Sequence, residues 1–201
     1  MAELSTAVSD LVLAISALGG FATLLNKNIL ASLGFLGVAI AAAFGAYRFS
    51  RTQPSPSIIS WHKSLAWLAS TLGMSMIASG FHRHLDNPIM TALHMGCAIA
   101  LVIMSKAFHV FSRSVEASLA EAISGAAVVS IGLFGFLYSN PFGVLGSIVF
   151  IAAGAVGTKE GTISGIKKVD WFHYFLCFAN IVIIRALQFK PDAVYYKPKE
   201  T

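Results

Sequence analysis

The stretch ILASLGFLGVAIAAAFGAYRF, residues 29–49, decides the fold class of this protein. It contains a single charged side chain, Arg48, close to its end. A helix needs about 20 consecutive, mostly apolar residues to cross the hydrocarbon core of a bilayer. The stretch therefore predicts a transmembrane helix.

The composition extends this prediction to the whole chain. Of its 201 residues, 56% are hydrophobic and 11% are charged, and the mean hydropathy is +0.74. An average soluble domain has about 45–50% apolar and about 25% charged residues. The shortage of charge excludes a soluble enzyme and a disordered protein, and 14 Lys and Arg are too few for a nucleic-acid-binding surface. The expected partner is the lipid bilayer, with no nucleic acid.

Seven apolar stretches of this kind are separated by short polar or Pro-containing segments. We therefore predict an all-α, polytopic membrane protein, a bundle of seven transmembrane helices with short loops. The sixth stretch is the shortest, and a re-entrant sixth segment with six spans is the alternative. Residues 1–189 form the transmembrane domain and residues 190–201 a polar C-terminal tail. The predicted spans are residues 4–25, 29–49, 61–81, 88–111, 115–138, 142–157 and 169–189.

The distribution of Lys and Arg predicts the orientation. We call the membrane side of the N-terminus the N-terminal face and the other side the opposite face. Loops at the opposite face contain only Lys27 and Arg83, whereas most other cations lie in loops at the N-terminal face. Because cytosolic loops are enriched in Lys and Arg, we expect a cytosolic N-terminus and a C-terminus on the other side. The cations at the N-terminal face are Arg48, Arg51, Lys63, Lys106, Arg113, Lys159, Lys167 and Lys168.

Several ionisable side chains are predicted at one depth, near the N-terminal face. Ionisable groups inside a membrane cost roughly 2.5–3.5 kcal/mol on insertion scales and are candidates for function. On the seventh span, Asp170, His173 and Cys177 follow spacings of three and four residues and share one helix face. Glu121 belongs to a similar polar stripe on the fifth span, which we expect to face the interior. The group comprises Asp10, His62, His109, Glu116, Glu121, Asp170 and His173.

One interpretation of this group is a zinc site. Imidazole and thiolate are preferred zinc ligands, and three protein ligands with one water form a catalytic site. The predicted ligands are His173 and Cys177 with either His62 or His109.

The carboxylates have two interpretations. With a metal present, Asp10, Glu121 or Asp170 would act as the general base or would orient a ligand imidazole. Without one, the acids near helix N-termini would interact with the helix dipole, and the imidazoles would be hydrated at the interface. This structural alternative explains Asp170 and Glu116 better than Asp10 and Glu121, which lie about a turn or more inside their helices.

A second group of titratable residues lies near the opposite face. It contains His82, His84, Asp86 and His94, and we predict a solvated turn with imidazoles at the interface. Paired histidines on two helices are also typical of haem held by two imidazoles. The pairs would be His62 with His109 and His82 with His94.

The architecture and a few residues resemble a known superfamily. Seven short-looped spans, Asp10, Asp170 and the pattern His173-x-x-x-Cys177 resemble the seven-helix membrane hydrolases that include alkaline ceramidases and adiponectin-receptor-type proteins. The resemblance implies a metal-dependent hydrolase. Those families carry a second His where Cys177 stands and a His on an early helix, whereas the second span here has none.

The leading functional expectation is a metal-dependent hydrolase of a lipid amide or ester, with its site near the cytosolic face. A non-enzymatic membrane scaffold, which binds a membrane-protein partner through Gly- and Ala-rich helix faces, is the first alternative. A small proton-linked transporter, with Asp10 and Glu121 as protonatable groups, is the second.

Overall fold

The computed structural model describes residues 2–157 and 160–189. The predicted tail, residues 190–201, and Lys159 lie outside this part. The described residues form seven helices and one short antiparallel hairpin, in which β1 (Thr162–Ile163) pairs with β2 (Ile166–Lys167). The helices are α1 (Leu4–Leu24), α2 (Ile29–Phe49), α3 (Pro56–His84), α4 (Pro88–Lys106), α5 (Arg113–Leu137), α6 (Pro141–Val156) and α7 (Lys168–Gln188).

The all-α prediction is confirmed for these residues. Six of the helices are long and apolar enough to cross a membrane, as expected of a multi-pass membrane protein. The remaining helix, α6, has only 16 residues. Five of the predicted spans agree with a helix to within two residues at each end, and α2 has the predicted bounds.

Three predicted boundaries are wrong by more than two residues, and one of them is the end of the third span, expected at residue 81 and found at His84. The third span was expected from residue 61, but α3 begins at Pro56, because the hydroxyl of Ser55 accepts a hydrogen bond from the backbone N–H of Ile58 and caps the helix. The fourth span was expected to reach residue 111, but α4 ends at Lys106. The chain turns there with His109 at a φ of 50°, and Ser112 caps the next helix.

Asparagine caps begin three helices at the opposite face. The side chains of Asn28, Asn87 and Asn140 each accept a hydrogen bond from the backbone N–H three residues further on. Asn140 is fully buried, and its amide also donates to the carbonyl oxygen of Ala186 at 2.9 Å. The start of α6 is thereby joined to the end of α7.

The bundle is held together on both faces. In its opposite-face half, residues from α1, α2, α3, α5 and α7 form the main apolar cluster, around Phe35, Phe81 and Ile131. At the N-terminal face, Lys167 pairs with Glu3 at 2.7 Å, and Lys106 pairs with Glu116. The first of these pairs joins the start of α7 to the start of α1, so these two helices begin on the same side.

Helix α3 contains one turn of π-helix, Ala69–Gly73. Single π-turns within longer helices are rare and frequently occur at functional sites. Before this turn, residues Pro56–Leu68 include no buried side chain, whereas Thr71 and most residues from Met74 to His82 are buried. The π-turn therefore marks the point where α3 enters the packed bundle.

Candidate functional site

A buried polar cluster joins α1 to α7 near the N-terminal face. The Ser9 hydroxyl oxygen lies 2.9 Å from Nδ1 of His173 and 3.1 Å from Oδ1 of Asp170. Nε2 of His173 lies 3.4 Å from Oδ1 of Asp10. The side chains thus form one continuous series, Asp10–His173–Ser9–Asp170, which we call the α1–α7 cluster.

The α1–α7 cluster is shielded from solvent. Ser9 is 0% exposed, Asp10 and Asp170 are each 2% exposed, and His173 is 7% exposed. The second carboxylate oxygen of Asp10, Oδ2, is buried without a hydrogen-bond partner among the described residues. A buried acid without full hydrogen bonding is costly, so this carboxyl is a strong candidate for a functional group.

Glycine on α2 makes room for this acid. A Cβ atom added at Gly45 would overlap the carboxylate of Asp10. Because glycine has no side chain, α2 approaches α1 closely enough to cover Asp10. Three helices therefore enclose the cluster, with α2 contributing its backbone at Gly45.

The Ser9 hydroxyl has a choice of acceptors. Besides His173 and Asp170, the carbonyl oxygen of Thr6 lies 3.0 Å from its oxygen. A hydroxyl donates one hydrogen bond and accepts two. Ser9 can therefore accept from one neighbour while it donates to the other, in either direction.

Three of the predicted site residues meet in this cluster. The structure brings Asp10, Asp170 and His173 together. Ser9 was missed, although it lies beside Asp10 and three residues after Thr6, the spacing of one helix face. Cys177 is buried one turn further along α7, where it packs in an apolar cluster with Leu13, Ala14 and Ala42.

In the described part of the chain, the other predicted site residues make no hydrogen bond or ion pair with the α1–α7 cluster. Nδ1 of His62, on α3, accepts a hydrogen bond from Arg48 at 3.0 Å, and the adjacent guanidinium disfavours a bound cation. His109 was expected on the fourth helix, but it is exposed in the loop after α4. Glu121 was expected to face the interior and is instead exposed on α5. Hydropathy does not determine helix rotation, so the polar stripe on α5 was assigned to the wrong side.

The predicted zinc ligands do not gather at one point. Among the described residues, no group of three or more His, Cys, Asp or Glu is arranged to hold a metal ion. Of the four predicted ligands, only His173 contacts a carboxylate within the described residues, that of Asp10, and a catalytic zinc site uses three protein ligands. The zinc site stays a prediction, and the chemistry derived below uses only the side chains.

A second buried polar cluster lies near the opposite face. The Ser130 hydroxyl is 3.0 Å from Nε2 of His82 and 2.8 Å from Nε2 of His94. The two imidazole rings are stacked, with centroids 5.2 Å apart and planes 12° from parallel. Nδ1 of His82 is buried without a hydrogen-bond partner among the described residues. We call the two histidines, together with the serine that bridges them, the histidine pair.

The histidine pair corrects the prediction of a solvated turn. His82 is 0% exposed and packs edge-on against Phe134, and His94 is also buried. Helix packing encloses these rings even though they lie within two turns of helix ends. The His82 and His94 rings are stacked, and both Nε2 atoms contact one hydroxyl. There is no space between them for the porphyrin of the predicted haem site. His84 is the last residue of α3, directly before the turn, and its Nε2 lies 2.6 Å from the carbonyl oxygen of Phe189.

Comparison with known proteins finds no relative of this chain. No family model, no curated protein and no solved structure matches it. The resemblance to the seven-helix hydrolase superfamily therefore stays a prediction. The function is argued below from the geometry of the two buried clusters.

Proposed function

We propose that this protein carries protons across a membrane, as a small proton-linked transporter. The observation that supports this function is the continuous series of exchangeable groups in the α1–α7 cluster. Chains of Asp, Glu and His inside membrane proteins are typical of proton relays in pumps and transporters.

The α1–α7 cluster can hold one proton in two arrangements. In the first, protonated Asp10 donates to Nε2 of His173, Nδ1–H donates to Ser9, and Ser9 donates to Asp170. In the second, protonated Asp170 donates to Ser9, Ser9 donates to Nδ1, and Nε2–H donates to Asp10. Both arrangements use every contact in the series, so reversing the hydrogen bonds moves one proton between the two carboxyls.

This exchange moves a proton along the membrane normal. Asp170 is in the first turn of α7, whereas Asp10 lies six residues beyond the start of α1, about 9 Å along the helix at about 1.5 Å per residue. Polar contacts continue deeper at the same helix interface, where the Asn180 amide donates to the Ser16 hydroxyl at 3.2 Å. The relay therefore leads from the N-terminal face toward the bilayer centre.

The histidine pair supplies proton-exchanging groups near the opposite face. His82 and His94 share the Ser130 hydroxyl, which can accept a hydrogen bond from one imidazole and donate to the other, so a proton can pass between the two rings. The main apolar cluster fills much of the same half of the bundle. A packed apolar region blocks free proton passage, so we assign a carrier with a conformational step rather than an open channel.

We propose that all seven helices cross the membrane, with the N-terminus in the cytosol. The contact of Ser9 with His173 joins the second turns of α1 and α7, which therefore begin at the same face. The start of α6 contacts the end of α7 through Asn140 and Ala186, so α6 runs antiparallel to α7. Its 16 residues span about 24 Å, which a thinned bilayer accommodates. The cations of the N-terminal face favour the cytosolic assignment.

Proton movement tests the proposed function. The full chain is reconstituted in vesicles that contain a pH-sensitive dye, a pH gradient is imposed, and valinomycin with potassium removes the opposing voltage. We expect the gradient to collapse faster than in protein-free vesicles. His173→Gln should slow this collapse several-fold, because an amide accepts and donates hydrogen bonds but does not relay a proton.

His109→Gln is the matched control for that experiment. His109 is exposed in a loop and outside both buried clusters, so its replacement should leave the rate unchanged. A wild-type rate equal to that of protein-free vesicles would contradict proton transport. If the protein shows no proton movement but retains membrane-protein partners when Asp10, Glu121 and His173 are all neutralised, the scaffold function is favoured instead.

One feature of the α1–α7 cluster favours a second candidate, hydrolysis of a lipid ester or amide. Ser9, His173 and Asp10 follow the order of nucleophile, general base and orienting acid. In the arrangement with protonated Asp170, His173 accepts the Ser9 proton and Asp10 holds the imidazole. The lipid substrate would approach from the bilayer near the N-terminal face.

A fluorophosphonate probe tests this candidate. An activated serine displaces fluoride and becomes covalently phosphonylated, so a hydrolase should carry the label on Ser9. Ser9→Ala should abolish labelling, whereas Ser114→Ala, an exposed serine on α5, should not. Unlabelled Ser9 in protein kept in lipid would exclude a serine hydrolase. Metal analysis of the same protein tests the predicted zinc site.

A further inference from the structure

The two cations of the opposite-face loops come together in one cavity. Lys27, between α1 and α2, and Arg83, near the end of α3, both line a cavity of about 300 Å³. Neither side chain pairs with a carboxylate among the described residues. His84, Asn26 and Asn28 also line this cavity, which we call the cationic cavity.

An apolar groove adjoins the cationic cavity. Arg83 lines both, and the groove, of about 600 Å³, is further lined by Leu30 on α2 and by Ala92 and Met95 on α4. These residues lie in the first two turns of their helices. The groove therefore extends from the loop level into the depth of the membrane.

The charges around the two cavities favour an anion. Lys27 and Arg83 contribute two positive charges, and Asp86, at the polar end of the groove, contributes one negative charge. The net charge of these three side chains is therefore +1. Arginine and lysine without protein partners are typical ligands of phosphate groups near membrane surfaces.

We infer that the cationic cavity and the apolar groove together bind one anionic phospholipid in the leaflet of the opposite face. The phosphate and headgroup bind Lys27 and Arg83, and an acyl chain lies along Leu30, Ala92 and Met95. A free anion of the same charge would contact only the cationic cavity and leave the apolar groove empty. The presence of the groove beside the cations therefore favours a lipid. This site is separate from both buried clusters and does not depend on the proposed proton transport.

Native mass spectrometry of the full chain tests this lipid site. The detergent-solubilised protein is titrated with phosphatidylglycerol and with phosphatidylcholine of the same acyl chains. We expect tighter binding of phosphatidylglycerol, and a roughly 10- to 30-fold loss of its affinity in Lys27→Gln/Arg83→Gln, since each cation contributes about 1 kcal/mol near an anionic lipid. Lys63→Gln/Arg113→Gln removes two exposed cations at the other face and should change nothing.

A groove variant separates a lipid from a free anion. Ala92→Trp fills the groove and should weaken long-chain phosphatidylglycerol while leaving a dihexanoyl analogue bound as before. Equal affinity for the two headgroups, or unchanged affinity in Lys27→Gln/Arg83→Gln, would overturn the site. Displacement of the lipid by an equal concentration of inorganic phosphate would show an anion site and overturn the lipid assignment. Thermal unfolding of each variant verifies that it is folded.

Discussion

Asp10→Asn is expected to reduce proton movement to the rate of protein-free vesicles. Asp10 is the deepest carboxyl of the α1–α7 cluster, and asparagine has nearly its shape but does not ionise. The relay would then end at His173 without an acceptor beyond it. The rate of dye response in proteoliposomes, measured under the same pH gradient as for the wild type, gives the result.

The control for this change is Glu121→Gln, which neutralises an acid that is exposed on α5. It should retain the wild-type rate, although the sequence placed Glu121 and Asp10 in the same group of candidates. Asp10→Asn should also remain folded, because the amide can still bond His173. Proton movement that survives in a folded Asp10→Asn protein would mean that the series of hydrogen bonds is structural.

Gly45→Ala is expected to destabilise the bundle by about 1–3 kcal/mol, the usual cost of overpacking a well-packed interior. The added methyl group would overlap the Asp10 carboxylate, so either α2 or Asp10 must shift. The substitution would ordinarily favour the helix, because alanine has the higher helix propensity. Thermal unfolding in mixed lipid–detergent micelles measures the stability, and the vesicle assay should also show slower proton movement.

Gly37→Ala on the same helix is the matched control. A Cβ atom at Gly37 meets no atom within 4 Å, so this substitution should be neutral or stabilising by up to about 1 kcal/mol. Because the two substitutions on one helix should change the stability in opposite directions, the difference between them measures the effect of the contact with Asp10. Equal effects of the two substitutions would refute the close approach of α2 to that acid.

Local sequence signals predicted the helices well. Ile29–Phe49 has the predicted bounds, since a polar segment and an asparagine cap precede it and charged residues end it. The error at the end of α4 has a local cause as well. Phe108, Val110 and Phe111 continue the apolar pattern beyond Lys106, whereas the backbone has already turned at His109. Hydropathy indicates which segments can be buried in a membrane, but it does not indicate the residue at which the helical hydrogen bonds end.

The candidate site was only partly predictable. Asp170 and His173 lie on one face of a single helix, so their spacing was enough to pair them. Ser9 was overlooked because serine is common in transmembrane helices and costs little there. Glu121 was included because its charge is costly inside a membrane, but α5 presents it to the outside of the bundle.

The sequence by itself determined that this protein is a set of apolar helices with few, unevenly distributed charges. That information is local, since hydropathy, caps and residue spacing act within a few turns of one chain segment. Only the tertiary structure decided that Ser9 links His173 to Asp170, that His82 stacks on His94, and that Lys27 and Arg83 line one cavity. The physical reason is that helix rotation and neighbour choice depend on how all the helices pack together. Close approach at Gly45, for example, encloses an acid that belongs to another helix.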